Sequence, residues 1–271
     1  MQKICYCGST NFKILTSYSS FQNFNVSSRQ IIQCNNCQII TRNPSIYNDS
    51  TIEDGIPSSL IEGSEFISGS VDRPNKVFIK RLEQIEKLVK VKKVLDIGAG
   101  NGAFLQIAKS LNWETSGAEL NENNYNAIIK QGINCYNKDV LELNLPPESF
   151  SFIHMNHVFE HVKEPYKILM ECYRLLTPGG VLIIEVPNEF KAFTSSLKRM
   201  LGMKNNSFTS YFEHEWYYDP ASLKIMISKS GFRIIRFETL SRAAGSYIKR
   251  LLNKIAVLIN RGPIMEVLLQ K

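Results

Sequence analysis

Val94-Leu95-Asp96-Ile97-Gly98-Ala99-Gly100-Asn101-Gly102-Ala103-Phe104 is the stretch on which the fold turns. Val94 to Ile97 reads as a short buried strand, and a helical stretch from Phe104 to Leu111 follows the glycines. Glycines after a first strand let the backbone turn sharply into a helix and pass close to a bound ligand. Alone the loop is ambiguous, because Gly98-x-Gly100-x-x-Ala103 also satisfies a relaxed dinucleotide fingerprint. Three carboxylates bear on the choice. Asp96 lies two residues before the first glycine, where it can organise the loop and meet an amino group; a pyrophosphate would be repelled there. Glu119 ends the second strand, 19 residues after Gly100, placed to chelate ribose hydroxyls under either reading. Asp139, followed by Val140, comes after the third strand, where a carboxylate can accept the exocyclic amine of adenine.

Outward from this loop the chain alternates strands and helices. Phe78, Leu82, Ile85 and Val89 recur at helical spacing, with Lys and Glu on the other face. The pattern then predicts a strand near 114–119, a helix over 121–131, strands at 133–136 and 151–156, a helix over 165–176 and a strand from Val181 to Val186. Strands separated by helices imply parallel pairing in right-handed βαβ units, with ligands at the carboxyl ends of the strands near the switch in strand order. Toward the end, Ile248, Leu251, Leu252, Ile255 and Leu258 share a helical face with Lys249, Arg250, Asn253 and Lys254 opposite. That helix reads as the sixth crossover, before a last strand over Ile264 to Leu269 that closes the sheet antiparallel to its neighbours.

In order and spacing these motifs resemble the class I S-adenosylmethionine (SAM) methyltransferases over residues 75–240. The resemblance rests on the glycine loop, Gly117-Ala-Glu119-Leu120, Asp139-Val140-Leu-Glu, Asn156-His157-Val-Phe-Glu160-His161-Val and Leu175-Leu-Thr-Pro178-Gly179-Gly180-Val-Leu-Ile. It implies an α/β, Rossmann-like sheet of seven strands, mostly parallel with the last antiparallel. It also implies that Glu119 holds the cofactor's ribose, with Leu120 beside it. Asp139 with Val140 takes the adenine end, and Gly98, Gly100, Asn101 and Gly102 take the methionine end, with Asp96 and Asn156 close by.

Four of the six cysteines fall early, as Cys5 with Cys7 and Cys34 with Cys37. Two short-spaced thiol pairs are what a tetrahedral Zn²⁺ site needs, and four cysteines leave no open coordination position, which makes the metal structural. So short a region buries little core, and a metal staple would explain its folding. The region resembles the zinc-ribbon head of some bacterial methyltransferases, with Cys34-Asn-Asn-Cys37-Gln and a downstream Asn43-Pro44; it departs in having Cys-x-Cys as its first pair. The expected organisation is a zinc-ribbon-like head over 1–45, a linker or lid over 46–74, and a methyltransferase domain over 75–271 with a substrate lid inserted at about 189–219. Cys135 and Cys172 read as small core residues.

Methyl transfer from a sulfonium is an in-line displacement at carbon, for which the protein chiefly supplies proximity and alignment. A base is needed only if the acceptor is a hydroxyl, an acidic C–H or a protonated amine. Of the four histidines, His154 lies inside an apolar strand and reads as structural. His157, Glu160 and His161 begin at the carboxyl end of that strand, beside the expected methyl group, and His157 is the leading base candidate. They spell the inverted zinc-protease motif, which lacks here the long helix and third ligand it requires. A second cluster, Phe212-Glu213-His214-Glu215-Trp216-Tyr217-Tyr218-Asp219-Pro220, places His214 and Glu215 as proton acceptors among aromatics that could form an acceptor pocket.

Composition bounds the function. With 271 residues, 44% hydrophobic and 21% charged, the chain is ordinary globular protein. Its longest aliphatic run, Ile255 to Ile259, is too short to span a membrane, and its start lacks a secretory pattern, so a cytoplasmic location is expected. The net charge of +7 is regional: residues 1–188 carry 18 basic and 19 acidic side chains, residues 189–271 carry 14 and 6. The excess therefore lies on the acceptor side, where it suits an anionic or phosphorylated small molecule, or a peripheral membrane contact through the basic C-terminal helix, over nucleic acid. The expected activity is SAM-dependent methylation of a small-molecule hydroxyl, on a sugar or nucleotide-sugar (glycan) precursor. The alternatives are an RNA or protein methyltransferase that grips its polymer with the zinc head, and a non-catalytic SAM-binding subunit.

Overall fold

Two units of unequal size make up the chain, Met1–Arg73 and Pro74–Lys271, in a computed structural model that describes residues 5, 7–18, 29–42, 72–188, 214–241, 247–259 and 261–271. Most of the 46–74 linker, Asn43-Pro44, the lid from 189 to 213 and the side chains of Ile248, Lys249, Arg250 and Asn253 lie outside the described residues.

In the first unit, β1 (Phe12–Tyr18) pairs antiparallel with β2 (Arg29–Cys34), which pairs antiparallel with β3 (Ile40–Arg42). Each cysteine pair sits on a tight turn. The Cys5 carbonyl accepts from the Gly8 N–H at 2.8 Å, and Gly8 takes the positive φ of 83° that this turn requires. The Cys34 carbonyl accepts from the Gln38 N–H at 3.0 Å. Ile31, Ile32, Ile39 and Ile40 are buried, a small apolar patch for a unit of this size.

The second unit is built on a seven-stranded sheet. In chain order its elements are α1 (Asp72–Glu86), β4 (Lys93–Ile97), α2 (Ala103–Ser110), β5 (Glu114–Ala118), α3 (Glu122–Lys130), β6 (Asn134–Tyr136), β7 (Phe150–Asn156), α4 (Pro165–Leu175) and β8 (Leu176–Pro187). There follow β9 (Trp216–Tyr217), a short strand outside this sheet, then α5 (Pro220–Ser228), β10 (Arg233–Leu240), α6 (Tyr247–Leu258) and β11 (Ile264–Gln270). The sheet order is β10-β11-β8-β7-β4-β5-β6; β11 runs antiparallel to both its neighbours and the pairs among β4 to β8 are parallel. From β4 the chain builds outward through β5 and β6, then returns to place β7 and β8 on the other side, so the switch in strand order lies between β4 and β7. Leu82 and Ile85 of α1, Leu105 and Ala108 of α2, Ile128 of α3 and Phe152 of β7 pack in one core, each 0 to 1% exposed.

Two boundaries and the packing of one helix differ from the sequence pattern. Helix α1 begins at Asp72, three residues before the expected change at Asn75. Strand β8 begins at Leu176, five residues before Val181, because the Thr177-Pro178-Gly179-Gly180 segment runs into the strand through an irregularity in its register with β7. Gly179 has φ 76°, and a Cβ on Gly180 would sit 2.9 Å from the Thr177 carbonyl oxygen, so this entry needs both glycines. Helix α6 does join β10 to β11, yet its apolar stripe is not buried: Leu251, Ile255 and Leu258 are 46%, 41% and 84% exposed. Leu252 of that stripe is half-buried and Ala256 beside it fully buried, the most buried of the helix's described side chains together with Val257.

Candidate active site

The cofactor loop is shaped by its glycines and pinned by one carboxylate. Gly98, Gly100 and Gly102 have φ of 68°, 55° and 83°, a region L side chains rarely adopt. A Cβ on Gly98 would lie 2.3 Å from Cγ2 of Val158, so the missing side chain is also what lets the turn after β7 press against the loop. Glu119, at the end of β5, accepts the Gly100 N–H at 2.7 Å with Oε2 and the Asn121 N–H at 2.8 Å with Oε1. Asn101 Oδ1 accepts the Ala103 N–H at 3.2 Å at the start of α2, whose first-turn amides give the loop a positive end.

Around this loop the sequence-assigned residues divide. Leu120 is 66% exposed beside Glu119, a posture that suits contact with a ligand, whereas Val140 is 3% exposed and supports the turn from within. Asp139 Oδ1 accepts the Leu141 N–H at 2.9 Å and caps a short 3₁₀ turn over Val140–Glu142. Asp96 is 3% exposed and its Oδ1 takes the Nδ1–H of His154 at 2.7 Å, so its carboxylate is held in the core. His154 is structural as expected, 1% exposed and stacked on Phe104. Asn156 ends β7 level with Gly98, since Met155 pairs with Ile97; its buried Oδ1 has no hydrogen-bond partner among the described residues. A buried amide oxygen without a donor fits an ammonium-bearing ligand at this spot.

A cluster of histidines and carboxylates begins at the next residue. His157 holds φ of 54°, its N–H donates to the Glu185 carbonyl at 2.9 Å, and its ring lies between two carboxylates. Nδ1 is 3.2 Å from Glu160 Oε1 and Nε2 is 3.5 Å from Glu185 Oε1. Burial pulls the imidazole's pKa down, but the hydrogen bonds and charges of Glu160 and Glu185 outweigh it and raise the pKa to about 9. The carbonyl of Glu160 accepts the N–H groups of both Glu215 and Trp216, at 2.9 and 3.0 Å, which brings His214 against His161 with ring centroids 4.7 Å apart. One carboxylate oxygen of Glu160 and one ring nitrogen each of His161 and His214 lie within 4.8 Å of one another. The structure thus gathers all four assigned catalytic side chains at one place.

The aromatic pocket expected from Trp216, Tyr217 and Tyr218 is a correction. These rings are 7%, 1% and 1% exposed; Trp216 Nε1 donates to the Val162 carbonyl at 2.8 Å and Tyr218 stacks on Phe159. They anchor the segment, and Asp219 with Ser222 forms a reciprocal capping box that starts α5. Sequence reasoning missed Arg81, Asn137 and Glu185. Asn137 Nδ2 donates to the Glu119 and Leu120 backbone carbonyls at 2.8 and 3.0 Å, bracing the chain where β5 ends. Glu185 did carry a signal: a lone charge inside the apolar run Val181 to Val186.

In the first unit the four assigned thiols converge. Cys5 Sγ lies 3.3 Å from Cys37 Sγ, Cys7 Sγ lies 3.5 Å from Cys34 Sγ, and all four fall within 4.8 Å of one another. Thiolates on one tetrahedral zinc stand about 3.8 Å apart, given Zn–S bonds of about 2.3 Å, so the donor set fits that ion.

A doubly wound sheet with a glycine loop at its switch point, a ribose-type carboxylate on the next strand and an antiparallel last strand defines the class I methyltransferase fold. The family description "Methyltransferase domain" matches residues 71–236, and the chain belongs to that family of SAM-dependent enzymes. It is 25% identical over 218 residues to a demethylmenaquinone methyltransferase of Listeria monocytogenes, covering 67% of this chain and 90% of that one. It is 24% identical over 168 residues to a ubiquinone biosynthesis O-methyltransferase of Coxiella burnetii, covering 59% and 71%. The crystal structure of a SAM-dependent methyltransferase from Archaeoglobus fulgidus superposes with a TM-score of 0.56 at 23% identity, over 80% of this chain and all of that one.

Proposed function

We propose that the chain transfers a methyl group from SAM to an oxygen of a small-molecule acceptor, with His157 taking the acceptor's proton. The observation that carries this reading is the position of His157: it directly follows Asn156 at the carboxyl end of β7, in the turn whose Val158 presses on Gly98, with carboxylates on both sides of its ring. SAM, when bound, supplies an activated methyl on a sulfonium. On the cofactor side Glu119 with Leu120 holds the ribose, and Asp139 with Val140 shapes the adenine end. Gly98, Gly100, Asn101 and Gly102 cradle the methionine end, and Asn156 Oδ1 accepts from its ammonium. Asp96 acts from below, by fixing the strand through His154. On the acceptor side Glu160 orients His157, while His161 and His214 pack edge to face beside them. Cys5, Cys7, Cys34 and Cys37 hold a structural Zn²⁺ with no open position for chemistry.

Oxygen as the accepting atom draws support from the Coxiella relative, which is named an O-methyltransferase. The acceptor class spans the sugar or nucleotide-sugar hydroxyls suggested by the sequence and, on the strength of the relatives' names, intermediates of quinone biosynthesis. A base whose pKa is about 9 is mostly protonated at neutral pH, so only its minor form is competent there. The test is release of S-adenosylhomocysteine (SAH) against a panel of phenols, nucleotide sugars and RNAs. Turnover of the active acceptor should rise roughly tenfold per pH unit from 6 toward 9. His157→Asn, which tolerates the left-handed backbone, should lose about a hundredfold in turnover with SAH affinity kept. A flat profile over that range, or full turnover by the variant, rules His157 out as the base.

A further inference from the structure

A buried chain of charged and polar side chains runs through the sheet beneath the site. Arg81 of α1 is 3% exposed, and its guanidinium reaches three partners. NH1 donates to His154 Nε2 at 2.6 Å; NH2 donates to Glu185 Oε2 at 2.6 Å and to Glu266 Oε2. Because Nε2 of His154 accepts, its proton sits on Nδ1, which donates to Asp96; burial pushes this imidazole's pKa down and keeps it neutral. At the other end stands Glu185 of β8, 0% exposed, whose carbonyl fixes the His157 backbone at 2.9 Å while its carboxylate faces the His157 ring at 3.5 Å. One residue therefore holds the strained backbone of His157 by a hydrogen bond and sets a negative charge 3.5 Å from its imidazole. An ionised carboxylate at full burial persists only beside a compensating charge, and Arg81 is that charge.

We infer that Glu185 is a positioning residue for His157, anchored from beneath by Arg81, and that the same guanidinium, through His154 and Asp96, ties the strand leading into the glycine loop to the acceptor side. This rests on the reading of His157 as the base. The charged groups that bear on it come from four further elements. Glu160 faces His157 from its own turn, with His161 and His214 beyond. Glu185 faces it from β8, Arg81 stands behind Glu185 on α1, and Glu266 of β11 shares Arg81 and also takes Arg236 of β10 at 2.6 Å. Glu266 thus resembles Glu185 in charge, burial and its hold on Arg81, but its carboxylate is taken up by Arg81 and Arg236, which makes it the internal control.

The experiment is NMR titration of the His157 ring in the full chain, assigned by its loss in His157→Gln, with SAH affinity of each protein measured by calorimetry. The wild-type ring should titrate near 9. Glu185→Gln should lower the midpoint by about one unit or more, and Glu185→Asp, which keeps the charge but withdraws it by one methylene, by a smaller step. Glu266→Gln should leave it within about 0.3 units, and all three variants should bind SAH within about threefold of wild type. An unchanged midpoint in both Glu185 variants, or an equal fall in Glu266→Gln, overturns the assignment. Failure of the wild-type chain to bind SAH would instead remove the methyltransferase reading, while the ring titration still decides whether Glu185 holds His157.

Discussion

Gly98 condenses the residue-scale account. Its φ of 68° excludes most side chains, and Val158 fills the space a Cβ would need, so one absent methyl joins the cofactor loop to the turn that carries His157. Gly98→Ala should destabilise the chain by about 2–4 kcal/mol, the combined cost of left-handed strain and overpacking, and weaken SAH binding as well. Thermal unfolding checks this, and a variant as stable as wild type would show that the loop relaxes freely. The glycines and Glu119 were legible because each answers a requirement that a sequence displays: positive φ after a strand, a carboxylate at the next strand's end. Arg81 and Glu185 were not assigned. Arg81 sits among Phe78, Leu82 and Ile85 on one helix, where its charge reads as surface until the fold sets Glu185 and Glu266 against it.

At the scale of elements, periodicity found the strands and helices of the sheet, since each buries one face or both and repeats accordingly. It failed where burial depends on packing partners. Helix α6 has an apolar stripe by sequence, yet it rests on Leu252 and Ala256 and leaves Leu251, Ile255 and Leu258 exposed. The aromatics Trp216 to Tyr218 looked like a pocket lining and proved to be the anchor that carries His214 to His161. Spacing did predict that the two cysteine pairs would meet, and they meet as thiols within reach of one ion. Protein purified without chelator should carry about one zinc per chain, and Cys34→Ser should lose it. Less than about half an equivalent in the wild type would leave the first unit without its metal staple.

For the molecule as a whole, the net charge of +7 proves less informative than its placement, because residues 189–271 carry the excess and the cofactor half is nearly neutral. Among the described residues no helix is long and apolar enough to cross a membrane. Family membership, the sheet order and the loop geometry converge on one cofactor. The most direct measurement is calorimetric titration of the full chain with SAM and with SAH. One site per chain is predicted, with Glu119→Ala weakening it by about tenfold or more, since that carboxylate shapes the loop and is the proposed ribose ligand. No binding by the wild-type chain at ligand concentrations of several hundred micromolar would contradict the account at its root.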